Sequence, residues 1–383
     1  MLESLSIKNF RNFRSLQIES LARVNLIVGR NSVGKSNLLD AVSLYVKQGD
    51  AKYLFELLEH CRECRQTVRN GYVFRESLLD ALMSLFYDGR SLIVYGRNDQ
   101  IDITATPTSQ FPKLTLRFLR CLIDQKECKP EWTVIGSFSL DTQTYETNAI
   151  IPTNCVDRGP NYRTMLSAES GSLNWIMDAE IVPDTWRFLP SNLQGNHPLQ
   201  YVRTQFAQNR NNAEFWDAIS LTDKEGIALD ALRILLPSII SLSYKSDKQG
   251  DRIPYIKLRS QDVPVPFYSL GEGVGRILTL ILHLVNAKDG TLLIDEFENG
   301  LHYTIQEPLW KMIFQIAEQL NVQVLATTHS EDCLWAFSEV LKENGHSDQG
   351  KVLRLAEVKS DIVCTSFDAH DMEKVLQKEM EIR

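Results

Sequence analysis

The apolar and polar residues at the start of the chain alternate with a period of two. Residues 2–8 and 13–18 both follow this alternation, which is typical of short strands with one buried face. A third apolar run, Val24–Val28, leads into a glycine, and the apolar residues after Lys35 recur at helical spacing. The first 48 residues therefore predict three strands, a loop and a helix.

The pattern changes twice in the middle of the chain. Residues 49–90 carry leucines spaced for one helical face, and residues 91–150 return to a period of two, which predicts an antiparallel β lobe. Residues 151–225 are polar, are interrupted by asparagine, glycine and proline, and predict irregular structure mixed with helix. No heptad array is long enough to predict a coiled-coil arm.

Helices and strands alternate from residue 226 onwards. The predicted helices are 226–236, 274–286, 304–319, 331–342 and one that begins at about residue 369. The predicted strands are 239–244, 253–258, 291–294, 322–327, 351–356 and 361–366. Such alternation is typical of an α/β domain. We therefore assign residues 1–48 and 226–383 to one core, and residues 49–225 to an insertion.

The composition fits a globular protein with room for two domains, or for one domain with a large insertion. The chain has 383 residues, of which 43% are hydrophobic, and single domains usually hold about 100–200 residues. No apolar run approaches the roughly 20 residues of a membrane-spanning helix. The first residues also lack the apolar run of a signal peptide. We therefore expect a cytoplasmic protein without a membrane partner.

The charge balance argues against a general nucleic-acid coat protein, and the cysteines argue against a structural zinc site. The net charge of −8 does not fit a general nucleic-acid coat, although it leaves room for a local basic patch. Seven cysteines are an odd number, and without a secretion signal we expect reduced thiols. Cys61 and Cys64 lack the second pair that a structural zinc site needs, so we interpret them as ordinary helix residues.

Residues 29–36, GRNSVGKS, fit the phosphate-loop pattern GxxxxGK[ST] and stand between a predicted strand and a predicted helix. Gly29 and Gly34 allow the backbone to curl around a phosphate, and the following helix presents free N–H groups to it. Lys35 would reach the β- and γ-phosphates, and the Ser36 hydroxyl would bind Mg²⁺. The loop therefore predicts ATP and Mg²⁺ as ligands.

Two predicted strands of the core end in polar side chains. Asp295 and Glu296 follow the apolar strand 291–294, where Asp295 would hold the metal through water and Glu296 would act as general base. His329 follows the strand 322–327 and could contact the γ-phosphate or orient the attacking water. The alternatives are an acidic turn for the carboxylates and a buried, hydrogen-bonded histidine for His329. The ends of neighbouring parallel strands form a ligand crevice, which favours the functional reading.

A serine and two glycines precede the helix predicted at 274–286. Ser269, Gly271 and Gly273 lie in the segment YSLGEG, and a helix N-terminus with such residues predicts a second anion site. One nucleotide does not need two such loops from one subunit. We therefore expect this loop to serve a nucleotide that a second copy of the chain holds.

The order of these motifs resembles that of a known family. A phosphate loop, a long insertion, SLGEG, LLIDEFENGLH and ATTHS follow one another as in the ABC-type ATPase heads of the RecF, SMC and OLD group, and the opening IKNFRNFRSL is similar to their N-terminal strand pair. The resemblance covers residues 1–48 and 226–383. It is closest to short AAA-family ATPases related to OLD proteins of anti-phage systems. It implies an α/β ATPase head with a central mixed sheet, an antiparallel β lobe and a helical insertion.

The resemblance also implies roles for single residues. The residues that would hold the nucleotide in its own subunit are Arg11, Gly29, Asn31, Gly34, Lys35 and Ser36. Ser269, Gly271 and Gly273 match the signature that faces the partner's γ-phosphate, residues 299–302 match the loop that crosses the dimer, and His329 matches the switch histidine. Leu270 and Glu272 depart from the usual LSGGQ signature, which leaves the hydrolysis rate open. The sequence does not place a Q-loop glutamine, and Gln110 is one option for it.

The resemblance further implies a partner protein. OLD proteins carry a Toprim nuclease after the ATPase, but only 54 residues follow His329 here. We therefore expect the ATPase half of a split system, which forms a homodimer or higher homo-oligomer and acts on a separate effector, with a Toprim-like nuclease as candidate. The alternative is a RecF-like, ATP-gated DNA-binding protein of DNA repair. A third reading, an assembly protein that does not hydrolyse ATP, is disfavoured by Glu296.

The insertion carries a group of arginines. Arg62, Arg65 and Arg69 are spaced for one helical face, and Arg75 lies nearby. This face could contact DNA phosphates or an acidic partner. The alternative is a solvated helix face, because neighbouring glutamates partly neutralise the arginines.

Overall fold

The computed structural model describes most of the chain. The described residues are 1–60, 66–69, 72–75, 78–87, 100–108, 112–124, 131–139, 144–146, 162–171, 173–178, 197–204, 208–343 and 346–377. The predictions for Cys61, Arg62, Cys64, Arg65 and Gln110 therefore lie outside the described residues.

The helices and strands follow the predicted order over the core. The helices are α1 (Lys35–Val46), α2 (Ala51–His60), α3 (Leu78–Met83), α4 (Gln208–Ile219), α5 (Asp223–Leu235), α6 (Glu272–Asn286), α7 (Tyr303–Gln319), α8 (Glu331–Leu341) and α9 (Ala369–Gln377). The strands before residue 150 are β1 (Ser4–Phe10), β2 (Phe13–Ile18), β3 (Val24–Val28), β4 (Gln66–Arg69), β5 (Tyr72–Arg75), β6 (Gln100–Thr106), β7 (Leu114–Asp124), β8 (Glu131–Ser139) and β9 (Thr144–Glu146). The later strands are β10 (Tyr162–Ser170), β11 (Leu173–Asp178), β12 (Leu199–Val202), β13 (Ile239–Ser246), β14 (Arg252–Leu258), β15 (Val265–Pro266), β16 (Thr291–Ile294), β17 (Gln323–Thr327), β18 (Gly350–Val358) and β19 (Asp361–Phe367).

A mixed sheet forms the centre of the fold, as predicted. Its strand order is β12-β16-β17-β3-β18-β19, and each neighbouring pair is parallel except β18 and β19. Strands β3, β16 and β17 are buried along their whole length. Both faces of such a sheet are covered, which explains why these strands are apolar runs without alternation.

The central sheet separates two hydrophobic cores. Val24 and Leu26 of β3 pack into one core with helices α4 to α9, whereas Ile27 packs into the other. Successive side chains of a strand point to opposite faces, so each strand contributes to both cores. The first core includes Trp310, whose ring stacks on that of Phe297 with centroids 3.9 Å apart. The second core joins α1, α2 and α3 to the antiparallel sheet.

The antiparallel lobe extends the strand pair at the start of the chain. Its order is β11-β10-β7-β6-β1-β2, and β8 joins it beside β7. The long strand β7 pairs with β10 on one edge, and with β6 and then β8 on the other. The predicted antiparallel β lobe is thus confirmed as part of the fold, and β6 connects it to β1 of the core.

The structure corrects two predictions for the insertion. Residues 66–69 and 72–75 form an antiparallel hairpin in which Arg69 pairs with Tyr72, so the helical arginine face was wrong at Arg69. Alternating valines and aromatic residues favour a strand there. The range 151–225 contains strands β10 to β12, and β12 pairs with β16 of the central sheet. The boundaries at residues 48 and 226 stay a prediction.

The helices bear on one further expectation. Across the described segments, no helix combines the length and the apolar character that a membrane crossing requires.

Candidate functional site

The phosphate loop joins the end of β3 to the start of α1. Ser32 and Gly34 have positive φ angles of 64° and 98°. A Cβ atom on Gly34 would lie 2.4 Å from Nδ2 of Asn12, so packing as well as φ demands glycine here. Gly34 is the N-cap of α1 and provides no side-chain cap, which leaves the start of the helix open to an anion. Asn31 lies exposed at the tip of the loop.

The side chain of Lys35 contacts the main chain of the loop and the predicted switch histidine, His329. Its side chain is only 4% exposed. Its ammonium donates hydrogen bonds to the carbonyls of Gly29 (2.6 Å) and Arg30 (3.0 Å), and Nζ lies 3.2 Å from Nδ1 of His329. The structure therefore brings Lys35 and His329 together, although they are 294 residues apart in the sequence. A phosphate oxygen would be a stronger acceptor for this ammonium than a carbonyl is.

The predicted metal-binding pair also converges. The Ser36 hydroxyl donates to both carboxylate oxygens of Asp295, at 3.0 and 3.1 Å. Thr327 at the end of β17 donates to the same carboxylate at 2.7 Å. These are the hard oxygen ligands that Mg²⁺ prefers. The described ranges contain no group of three or more His, Cys, Asp or Glu side chains that could hold a metal ion, so a cation here would take further ligands from phosphates and water.

Glu296 directly follows β16 in a backbone conformation that is unusual for a side-chain-bearing residue. Its φ is 49°, in the left-handed region, which costs about 1–3 kcal/mol for such a residue. Hydrogen bonds hold it there. Its N–H donates to the Thr327 hydroxyl at 2.9 Å, and its carbonyl accepts from the N–H of Asn299 at 3.0 Å. These hydrogen bonds fix the main chain of the turn that carries Glu296, directly after Asp295.

Sequence reasoning missed Arg276, which lies behind this turn. The guanidinium projects from α6, is 3% exposed, and donates through Nη2 to the carbonyls of Asp295 (3.2 Å) and Glu296 (3.3 Å). Burial lowers the pKa of Arg276, while the carboxylates of Asp295, Glu296 and Glu298 act in the opposite direction. The available signal was one arginine in a largely apolar helix.

Glu298 was also missed. It accepts hydrogen bonds from the Thr328 hydroxyl and from the His329 N–H, both at 2.7 Å. The carboxylate therefore connects the turn after β16 to the segment that carries His329. The only sequence signal was one more acidic residue in the segment DEFEN.

The guanidinium of Arg11 contacts the helix that follows the loop. Its guanidinium forms an ion pair with Asp40 of α1 at 3.4 Å and donates to Asn37 at 3.3 Å. Arg203 and Tyr201 reach the same buried carboxylate, each at 3.2 Å. Arg11 therefore joins the start of the chain to the helix that follows the phosphate loop. Its predicted contact with the nucleotide stays a prediction.

The signature residues lie around the start of α6. Ser269 is exposed in a short 3₁₀ helix, and its hydroxyl donates to the Pro266 carbonyl at 2.6 Å. Gly271, with φ 103°, precedes α6. A Cβ atom on Gly273 would lie 2.9 Å from the carbonyl oxygen of Gly300, so the signature packs directly on the predicted dimer-crossing loop.

That loop, residues 299–302, ends where α7 begins. Asn299 and Gly300 are exposed, and Leu301 is half-buried. His302 is the N-cap of α7 and accepts from the N–H of Thr304. An apolar cleft of about 320 Å³ lies between this loop, the signature and α5.

Two family models together match most of the chain. The model "AAA ATPase domain" matches residues 1–110. The model "AAA domain, putative AbiEii toxin, Type IV TA system" matches residues 110–332, which is more than half of the chain.

Curated relatives show both a full-length and a local similarity. An "ATP/GTP phosphatase" from Helicobacter pylori is 22% identical over 408 aligned residues, which cover 99% of this chain and 99% of that protein. The "DNA replication and repair protein RecF" of Oenococcus oeni is 46% identical over 41 residues, or 11% of each chain. RecF of Listeria welshimeri is 49% identical over a stretch of the same length and share.

Solved structures with similar folds include SMC heads. The SMC head bound to the C-winged helix domain of ScpA gives a TM-score of 0.46 at 11% identity, and covers 98% of this chain and 99% of that one. The SMC head domain from Thermotoga maritima gives 0.41 at 10% identity, with 96% and 98% covered. These scores are too low to carry an argument, so the assignment depends on the family models and on the motifs. The chain belongs to the AAA-domain ATPase family whose model covers residues 110–332.

Proposed function

We propose that this protein hydrolyses ATP with Mg²⁺ between two of its own copies, and that the pair regulates a separate effector protein. The observation that carries the proposal is the convergence of Lys35, Ser36, Asp295 and His329, with Glu296 next in the chain, at the ends of β3, β16 and β17. The comparisons support an ATPase, and the H. pylori relative bears the name of a phosphatase.

Each residue has a role that its chemistry suits. The loop N–H groups and Lys35 hold the triphosphate, and Ser36 and Asp295 hold Mg²⁺. When bound, Mg²⁺ neutralises the negative charge that develops on the phosphates. Glu296 takes a proton from the attacking water, and His329 orients that water or contacts the γ-phosphate. The contact between Lys35 and His329 would open when the nucleotide enters.

The signature segment supports the pairing of two copies. Ser269 lies exposed, and its hydroxyl hydrogen bond stays within its own loop. A helix N-terminus is a ready anion site. In a two-fold pair, each copy presents the same face to the other, so each signature can complete the partner's nucleotide site.

The proposed effector acts in anti-phage defence. The description of the family model names a toxin and a toxin–antitoxin system, which supports a two-component arrangement. Helix α8 packs into the ATPase core beside the strand β18 and helix α9, so the described residues after His329 belong to the ATPase itself. A Toprim-type nuclease on a separate chain is the candidate effector.

The alternative is an ATP-gated DNA-binding protein of DNA repair. The local identity to RecF, 46% over 41 residues, favours this second candidate. A gel shift distinguishes the two: tight ATP-dependent binding of duplex DNA by the chain alone supports the repair function. Protection of cells against phage that requires both this chain and an effector encoded beside it supports the defence function.

The substitution Glu296→Gln tests the hydrolytic assignment. Loss of a general base lowers turnover by about 10²- to 10⁴-fold. ATP affinity should persist, and the variant should accumulate as an ATP-bound pair in light scattering. Lys52→Ala, at an exposed lysine of α2, is the matched control and should behave as the unmodified protein. Unchanged turnover in Glu296→Gln would show that the base lies elsewhere.

A further inference from the structure

We infer that Arg276 is a positioning residue for ATP hydrolysis, which holds the main chain of Asp295 and Glu296 and ties it to the helix that begins at the signature. The inference rests on the proposed role of Glu296. Arg276 donates to the main-chain carbonyls of Asp295 and Glu296, behind their carboxylates. The groups proposed to react belong to other residues.

The environment of Arg276 is costly for a charge, and the ion pairs among the described residues do not include its guanidinium. The side chain is buried, and its Nε has no hydrogen-bond partner. Within the described part of the chain, its hydrogen bonds go to the three main-chain carbonyls of Arg203, Asp295 and Glu296. Burial of a charge is unfavourable unless it is compensated. The carbonyls and the nearby carboxylates of Asp295, Glu296 and Glu298 compensate the charge in part. Replacement of a buried charged group by an apolar one is often neutral or stabilising, which favours a functional reason for the arginine.

That reason is the strained turn at Glu296. A left-handed residue persists only where the surroundings hold it. The N–H of Glu296 donates to the Thr327 hydroxyl. The carbonyl of Glu296 accepts from both the Arg276 guanidinium and the N–H of Asn299. Because Nη2 of Arg276 also holds the carbonyl of Asp295, one guanidinium fixes two successive peptide groups. Its loss would let the proposed base drift from the attacking water.

The same side chain connects two sites. Arg276 stands three residues after Gly273, in the first turns of α6, and the signature packs against the carbonyl of Gly300. When the signature meets the partner's nucleotide, a shift of α6 would move the guanidinium and, with it, the turn at Glu296. Arg276 thus couples the signature segment, which faces the partner, to Asp295 and Glu296 of the same copy.

The test compares steady-state ATP hydrolysis with equilibrium binding of ATP. For Arg276→Met we expect kcat to fall by about 10- to 100-fold, since misplacement by about 1 Å can cost 100-fold in rate. KM and ATP affinity should stay unchanged. Arg276→Lys should recover part of kcat, because it keeps the charge but loses the planar fork.

Arg23→Met is the matched control. Arg23 also donates to main-chain carbonyls, those of Ala317 and Val322, but at the opposite end of the central sheet. Arg23→Met should leave kcat unchanged. If thermal melting shows that Arg276→Met does not fold, Arg276→Lys carries the test, and a kcat equal to that of the unmodified protein would refute the inference.

Glu296→Gln, measured in parallel, separates the two claims. If it abolishes turnover while Arg276→Met keeps full kcat, the positioning role is wrong and the proposed function stands. A raised KM with unchanged kcat in Arg276→Met also overturns the positioning role. If Glu296→Gln itself keeps full turnover, the proposed base is wrong, whatever the arginine variants show.

Discussion

At the scale of single residues, the ammonium of Lys35 is held by acceptors that a triphosphate would replace. Lys35→Ala removes a charged donor from the phosphate site, and such hydrogen bonds contribute about 1.5–3 kcal/mol each. We expect ATP affinity to fall by about tenfold to hundredfold. Titration with a fluorescent ATP analogue measures this change. Retained affinity would remove the phosphate-loop assignment.

Glu298 carries a second residue-scale prediction. Glu298→Ala removes the acceptor of two hydrogen bonds, from the Thr328 hydroxyl and the His329 N–H. Charge-assisted hydrogen bonds contribute about 1.5–3 kcal/mol each, so we expect the free energy of unfolding to fall by at least about 1.5 kcal/mol, in urea denaturation. Turnover should fall as well, because His329 loses its anchor.

Glu307→Ala is the control for this change. Glu307 forms a partly exposed ion pair with Lys311 on α7, and such pairs contribute at most about 1 kcal/mol. Equal stability of the Glu298 and Glu307 variants would contradict the anchoring role of Glu298.

The sequence predicted the site residues whose type and spacing recur in a motif. Gly34, Lys35 and Ser36 were recognisable because the loop needs a flexible backbone, a cation and a hydroxyl in consecutive positions. Arg276 and Glu298 were not, since their partners are main-chain groups or side chains on other elements. Only the fold brings α6 to the turn after β16, and this turn to the segment after β17.

At the scale of elements, helix α6 contains a buried histidine. His283 donates from Nδ1 to the Thr279 carbonyl at 2.8 Å, and its ring packs edge-on against Phe215. Burial lowers its pKa to about 4, from an ordinary value of 6.5. The unfolded chain therefore binds this proton more readily than the folded chain does. The contribution of His283 is fully present above pH 6.5 and is lost as the pH falls towards 4.

This gives a pH-dependent prediction for stability. Between pH 7 and 5 the unmodified protein should lose about 2 kcal/mol of unfolding free energy through His283. His283→Leu should lose less over the same range, although the half-buried His197, whose pKa burial lowers to about 4, retains its own part. His370→Gln, at an exposed histidine, is the control. Identical pH slopes in urea unfolding of His283→Leu and the unmodified protein would contradict the assignment.

Elements of the core were predictable because local pattern and burial agree there. The strand predicted at 291–294 matches β16, and the helix predicted at 304–319 starts one residue late. The insertion was harder. The leucines of α2 and α3 have helical spacing, and a hairpin lies between these two helices. Because the leucines occur on both sides of the hairpin, the whole range 49–90 was predicted as helix. Strand β12 is four residues long, and among the described strands its partner is β16, so its place depends on a contact 92 residues away in sequence.

At the scale of the whole molecule, the proposed pairing makes one site from two chains. Lys35→Ala damages the phosphate loop of a copy and leaves its signature intact. Ser269→Arg, at an exposed residue, damages the signature and leaves the phosphate loop intact. Each variant alone has two incomplete sites per pair. We therefore expect each purified variant to be nearly inactive in ATP hydrolysis.

Mixing the two variants should restore activity. In a mixed pair, the intact phosphate loop of one copy faces the intact signature of the other, which gives one complete site. Random exchange yields mixed pairs in about half of cases, so turnover should recover to about a quarter of the unmodified value. A mixture of Lys35→Ala with Glu296→Gln is the control, because each of its pairs lacks a complete site. If the signature instead served its own chain, every copy in the Lys35 and Ser269 mixture would keep its defect, and mixing would restore nothing.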